Sequence, residues 1–188
     1  MIDTSELQSF SADKHLVERL AHALPTLGIN GFGDALSIYA LPLYGADPGN
    51  FTTPILDTSI ERIGWRLLVL AGDEPIACVD QADDDDGGPG YMIRGTEVAT
   101  ALKAAIEAAL SHAEAAAVNY SIRFLSIPVA YTSAVWLCGP DNQFFPTRAG
   151  VAKRPEPARL SQETFTTLIA AQTRPALPVR ENGSDALS

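Results

Sequence analysis

Arg66 and Arg123 are the residues best placed to do chemistry, because each falls mid-strand among large apolar neighbours. A guanidinium in such a setting binds a carboxylate through two parallel hydrogen bonds, provided both arginines project from one sheet face. With Tyr131 they make the candidate ligand-binding set. Against that stands a plainer reading, in which each arginine lays its stem along the sheet and keeps its head in water or on a local acid. Trp136, Phe144 and Phe145 form the second set. If one sheet face is uncovered they make an apolar patch suited to a protein partner, and otherwise they are core.

Other constellations fail on spacing. The run Asp83–Asp86 lacks the acidic residue at 82 and the glutamate at 93 that a calcium loop with Gly87 as its invariant glycine requires; those positions hold Ala82 and Ile93. It reads as a hydrated acidic loop. His15 and His22 are seven apart, not the four of a helical zinc pair, and His112 stands alone. Gly28-Ile29-Asn30-Gly31-Phe32-Gly33 follows a helix rather than a strand, so it lacks the strand–loop–helix setting of a phosphate cradle. There is no Gly-x-Ser-x-Gly elbow. Cys138 ends an apolar run, and a reactive thiolate needs a positive, open setting. The expectation is therefore no catalytic residue, no metal and no cofactor.

The elements that must position these residues follow from periodicity. Residues 8–24 carry Phe10, Leu16, Leu20 and Leu24 at near-helical spacing, flanked by Val17 and Ala21, and Pro25 and Gly28 end the pattern. Strands are expected over 36–43, 62–71 and 75–80, the last two joined at Gly72-Asp73. A helix over 97–118 shows Val98, Leu102, Ala105, Ile106, Ala109 and Ala113 on one stripe. Strands 120–125 and 130–138 follow, then an extended Phe144-Phe145-Pro146, a surface connection over 150–160 and a helix over 162–172. Pro175 and Pro178 stop regular structure, giving a domain over 1–174 and a disordered tail over 175–188.

This order, α-β-β-β-α-β-β-α, predicts an α+β domain: an antiparallel sheet of about five strands with helices packed on one face. It resembles the type III secretion chaperones, which are small acidic α+β dimers. The resemblance covers topology alone, and it implies a homodimer that binds an extended segment of a client.

Composition sets the outer bounds. The chain has 188 residues, 46% hydrophobic and 19% charged, enough for one core. Its net charge is −10 and remains −6 without Asp83–Asp86, so nucleic acid and anionic membranes are poor partners, while a basic protein is a plausible one. Cys78 and Cys138 read as structural free thiols. No stretch reaches the roughly 20 apolar residues of a membrane helix, and the start lacks a signal-peptide pattern, so a cytoplasmic chain is expected. Three functions are compatible: a non-enzymatic protein-binding accessory domain of chaperone, adaptor or immunity type, a small-ligand domain or enzyme with a pocket between sheet and helix, or a structural subunit. The first is favoured.

Overall fold

The computed structural model describes residues 36–46, 60–83, 91–149 and 156–173. The expected helix over 8–24, the glycine-rich stretch at 28–33, His15, His22, Asp84–Asp86 and the tail from 175 lie outside them.

The described chain runs β1 (Leu36–Ala46), β2 (Ile60–Ala71), β3 (Glu74–Ala82), β4 (Tyr91–Arg94), α1 (Thr96–Ala116), β5 (Ser121–Ile127), a 3-10 turn (Pro128–Ala130), β6 (Thr132–Cys138), β7 (Gln143–Ala149), β8 (Leu160–Ser161) and α2 (Gln162–Thr173). All eight strands form one sheet, in the order β4-β3-β2-β1-β5-β6-β7-β8. Neighbours are antiparallel except β1 and β5, which pair parallel at Leu43–Phe124, Tyr44–Leu125 and Gly45–Ser126.

This corrects the expected fold. The sheet has eight strands rather than about five, it is mixed rather than antiparallel, and the two described helices lie on opposite faces. Alternate strand residues point to opposite faces, and they divide the helices between them. Val135, Leu137 and Phe145 share a core with Leu102, Ile106 and Ala109 of α1. Their strand neighbours Ala134, Trp136 and Phe144 share another with Phe165 and Ile169 of α2. Each half is a four-stranded meander followed by a helix. Because the halves meet at a parallel pair, they are related by a turn about an axis along the strands, which exchanges the faces.

The long helix stands where its stripe predicts, with Ala99, Leu102, Ala105, Ile106, Ala109 and Ala113 buried. Small side chains on that stripe let α1 lie close to the sheet, and it spans both halves, from β3 across to β6 and β7. A third cluster (Ala40, Leu67, Val69, Ile76, Ala77 and Val79) occupies the other face of the first meander, with Leu36, Ile38, Trp65 and Ile93 at its margin.

Two irregularities in β2 and β3 set the register. At Gly64, φ is +150° and an added Cβ would overlap the Gln81 carbonyl oxygen and lie 2.9 Å from the Ala82 Cα. That conformation belongs to glycine. A bulge between Val69 and Leu70 places Leu70 opposite Pro75 and Val69 opposite Ala77, leaving Ile76 as the extra residue. The Ile76 carbonyl then accepts the Thr96 hydroxyl at 3.2 Å, tying the start of α1 to the bulge.

Candidate functional site

The bulge brings Arg66 opposite Asp80. Arg66 donates from Nε to Asp80 Oδ1 at 2.5 Å and from Nη2 to Oδ2 at 2.6 Å, a bidentate pair. Arg94 on β4 donates from Nε to the same Oδ2 at 3.0 Å. The Arg66 guanidinium lies 3.9 Å over the Phe124 ring, and the residue is 4% exposed. Arg66 is thus committed to an internal acid and an internal ring. Cys78, two residues before Asp80 on the same face, is fully buried; burial pushes its thiol up to about 11, with Arg66 pulling the other way. A thiol so poised stays protonated and inert at neutral pH.

Arg123 points to the opposite face. It is paired with Trp136 across β5 and β6, and its guanidinium sits 4.9 Å from the Tyr44 ring centroid and 5.1 Å from that of Trp136. The two arginines therefore do not converge on one ligand, because the register through β1 gives them opposite orientations. Tyr131 joins neither: it lies beyond the end of β5, after the 3-10 turn.

Trp136, Phe144 and Phe145 are 3%, 0% and 2% exposed, so they build core and not an open patch. Phe144 stacks on Phe165 of α2 with centroids 4.2 Å apart and planes 3° from parallel. Trp136 donates its indole N–H to Asn142 Oδ1 at 3.0 Å, and Asn142 donates on to Gln162 Oε1 at 2.9 Å.

A second polar group lies where α1 ends, beside the turn between β6 and β7. The buried Tyr120 hydroxyl donates to Asp141 Oδ1 at 2.7 Å, and Gln143 donates to Asp141 Oδ2 at 2.8 Å. The Tyr120 hydrogen bond holds the Asp141 carboxyl below its ordinary range, with partial burial opposing and Gln143 reinforcing. Burial, and then the Asp141 contact, push the Tyr120 phenol up. The His112 ring stands 6.2 Å from Tyr120 and 6.1 Å from Phe145. Tyr120, Asp141 and Gln143 satisfy one another at the sheet end, whereas the buried His112 Nε2 has no hydrogen-bond partner among the described residues. Among the described residues, no three of His, Cys, Asp and Glu gather closely enough to hold a metal ion, and no helix is long and apolar enough to cross a membrane.

No known protein family, characterised protein or solved structure matches this chain.

The exposed large apolar side chains among the described residues are Tyr39, Ile63, Met92, Val129 and Tyr131, and the last two stand close together in the connection between β5 and β6. Pro128, Val129 and Tyr131 are exposed there, Val129 at 61% and Tyr131 at 52%, while Ala130 between them is buried beside Phe165 and Ile169. Tyr131 caps the 3-10 turn in the left-handed region, with φ 47° and ψ 37°, and its N–H bonds the Pro128 carbonyl at 3.0 Å. A bulky residue held there costs roughly 1–2 kcal/mol over the right-handed alternative. The exposed Arg148 on β7 lies over the ring, 5.3 Å from its centroid. The anchored Ala130 and the Pro128 ring fix the turn, so Val129 and Tyr131 are presented outward on a stiff support. Sequence reasoning placed Tyr131 in the ligand-binding set with Arg66 and Arg123, not on a protein contact, and singled out neither Val129 nor Arg148. The signal available was Ile127-Pro128, since proline fixes φ and ends a strand, turning the next residues outward.

Proposed function

We propose that this chain is a non-enzymatic protein-binding accessory domain, and that Val129, Tyr131 and Arg148 form the centre of its contact surface. One observation carries the reading: an aromatic side chain is held outward on a strained backbone and flanked by an exposed aliphatic and an arginine. Tyrosine and arginine are the residue types that dominate binding energy at protein interfaces, and Tyr131 brings a large area at little cost in side-chain freedom. Local strain retained on a surface turn is itself a pointer to use. The bidentate ligand reading loses support, since Arg66 is spent on Asp80 and Arg123 on two rings. The net charge of −10 favours a partner with a basic surround. The two unpaired thiols suit a reducing compartment, so the cytoplasm is the proposed location.

The test compares the wild-type chain, Val129→Ser/Tyr131→Ser and Arg148→Glu as bait in the native cell. Stoichiometric companions are identified and binding is remeasured with purified components. The double variant should fold with an unchanged urea midpoint, lose the companion by at least about tenfold, equivalent to ~1.4 kcal/mol, and leave no small-molecule turnover to explain. Equal binding by the wild type and the double variant would remove Tyr131 from the contact surface.

A further inference from the structure

Arg62, Arg66 and Arg94 each bond a carboxylate. The exposed Arg148 side chain differs: among the described residues it makes no ion pair and no hydrogen bond. It lies instead over the Tyr131 ring, 5.3 Å from the centroid. A ring takes up the flat side of a guanidinium and leaves its N–H edge to other partners. The register sets further donors beside it. Ser133 is paired with Arg148 across β6 and β7 and with Ser126 across β5 and β6, so the three stand in a row on neighbouring strands. At about 4.8 Å per strand the row spans roughly 10 Å. Ser133 lies two residues before Val135, which packs under α1, so the row is on the α1 face of the sheet. Ser126 and Ser133 are half-buried; Ser133 shares a hydrogen bond with Thr147 at 2.8 Å, and the Ser126 hydroxyl has no partner among the described residues. The row carries donors and no acid, and Tyr131 stands at its Arg148 end.

We propose that the partner protein enters this surface with an aspartate or glutamate side chain, gripped by Arg148 beside the Ser133 hydroxyl, and with an aliphatic neighbour packed on Tyr131 and Val129. The inference rests on the contact surface proposed above and names the chemistry that surface selects. Charge complementarity carries it. An exposed guanidinium fork without an internal acid matches a carboxylate through two parallel hydrogen bonds. The Ser126 hydroxyl, one strand further along the row, is placed to donate to a carbonyl of the same segment. The field of the whole chain limits the choice of anion. At a net charge of −10 a phosphate dianion is repelled about twice as strongly as a carboxylate, so a single acid is favoured over a phosphorylated residue. The two scales are compatible: a basic surround on the partner steers the encounter from a distance, and one acid within it fixes the register on contact.

The experiment selects displayed random peptides on the full chain and keeps those that bind the wild type but not Val129→Ser/Tyr131→Ser. The retained peptides should share an aspartate or glutamate next to an aliphatic residue. Synthetic copies are then titrated in a cycle against the wild type and Arg148→Gln. Changing the acid to its amide should weaken binding to the wild type at least about tenfold and leave binding to Arg148→Gln unchanged, because the partner of that acid is already gone. Retained peptides without an acid, or an equal loss on both proteins, would overturn the proposal while leaving Tyr131 in the contact surface. Tighter binding of a copy with phosphoserine in place of the acid would overturn it in favour of phosphorylated partners. If no peptide distinguishes the wild type from the double variant, the contact surface itself falls, and this inference with it. Should Arg148→Gln shift the urea midpoint, Arg148→Lys, which keeps the charge and loses the fork, takes its place in the cycle.

Discussion

Replacing Asp80 by alanine removes the carboxylate that accepts two hydrogen bonds from Arg66 and one from Arg94. Arg94 is about one-third exposed and recovers its hydration, whereas the Arg66 side chain is 5% exposed and cannot. A buried charge stripped of its partner costs about 3–5 kcal/mol. The Phe124 face remains beneath the guanidinium and offsets ~1 kcal/mol of this. Asp80→Ala should therefore destabilise the fold by about 2–4 kcal/mol, a large share of the roughly 5–15 kcal/mol that holds a domain of this size. In urea, with a slope near 2 kcal/mol per molar, the midpoint should fall by about 1–2 M. Arg66→Met alone leaves Asp80 on Arg94, so its cost should be nearer ~1–2 kcal/mol. The double variant, with no buried charge to strand, should lie within about 1 kcal/mol of wild type, giving a coupling of at least about 2 kcal/mol in the cycle. The assay is equilibrium unfolding of all four proteins, followed by far-ultraviolet dichroism. Additive losses in the double variant, or an Asp80→Ala loss below about 1 kcal/mol, would show that Arg66 does not depend on Asp80 in the way its burial implies.

Other outcomes follow from the same geometry. Gly64→Ala should cost about 3 kcal/mol or more in denaturant unfolding, since its φ of +150° excludes a side chain and the Cβ would strike the backbone of β3; an unchanged midpoint would contradict the register. Thiol titration of the folded protein should modify the half-buried Cys138 and spare Cys78, whose pKa stands at about 11, until denaturant is added. Asp141 has a carboxyl held below its ordinary value, so its contribution to stability is complete above that value and is lost as pH falls through the folded-state pKa. Asp141→Asn should thus narrow the gap between unfolding midpoints at pH 6 and at about pH 3, and an identical acid limb in both proteins would show that Asp141 is not the group responsible.

How far the residues announce this structure depends on how local the determining interaction is. The α1 helix was legible because its alanine and leucine stripe repeats every three to four residues, and the β2–β3 hairpin because Gly72-Asp73 sits between two apolar runs. β4 was not: it has four residues, comes directly after Gly87-Gly88-Pro89-Gly90 in the sequence and exists by pairing with β3. β7 lost its alternation because Phe144 and Phe145 are both buried, one under each helix, so two-sided burial erased the period of two. The parallel seam between β1 and β5 joins residues some 80 positions apart, which no local pattern records. The Arg66–Asp80 pair shows the same limit in miniature. Counting back from the turn without a bulge sets Arg66 opposite Val79, and the single extra residue at Ile76 moves it to Asp80. Arg66 was thus recognised as unusual while its partner was not.

The seam where the halves join has a mechanical consequence. Each meander is zipped internally by long ladders, but three residue pairs link β1 to β5. Among the described residues α1 lies across that line like a splint and grips both leaves through its alanine-rich underside, adding to side-chain contacts over the seam such as Arg66 on Phe124 and Arg123 on Tyr44. Loosening the splint would leave each leaf's ladders intact while easing the angle between them, so the helix adds stiffness at the line where the backbone ladder is shortest.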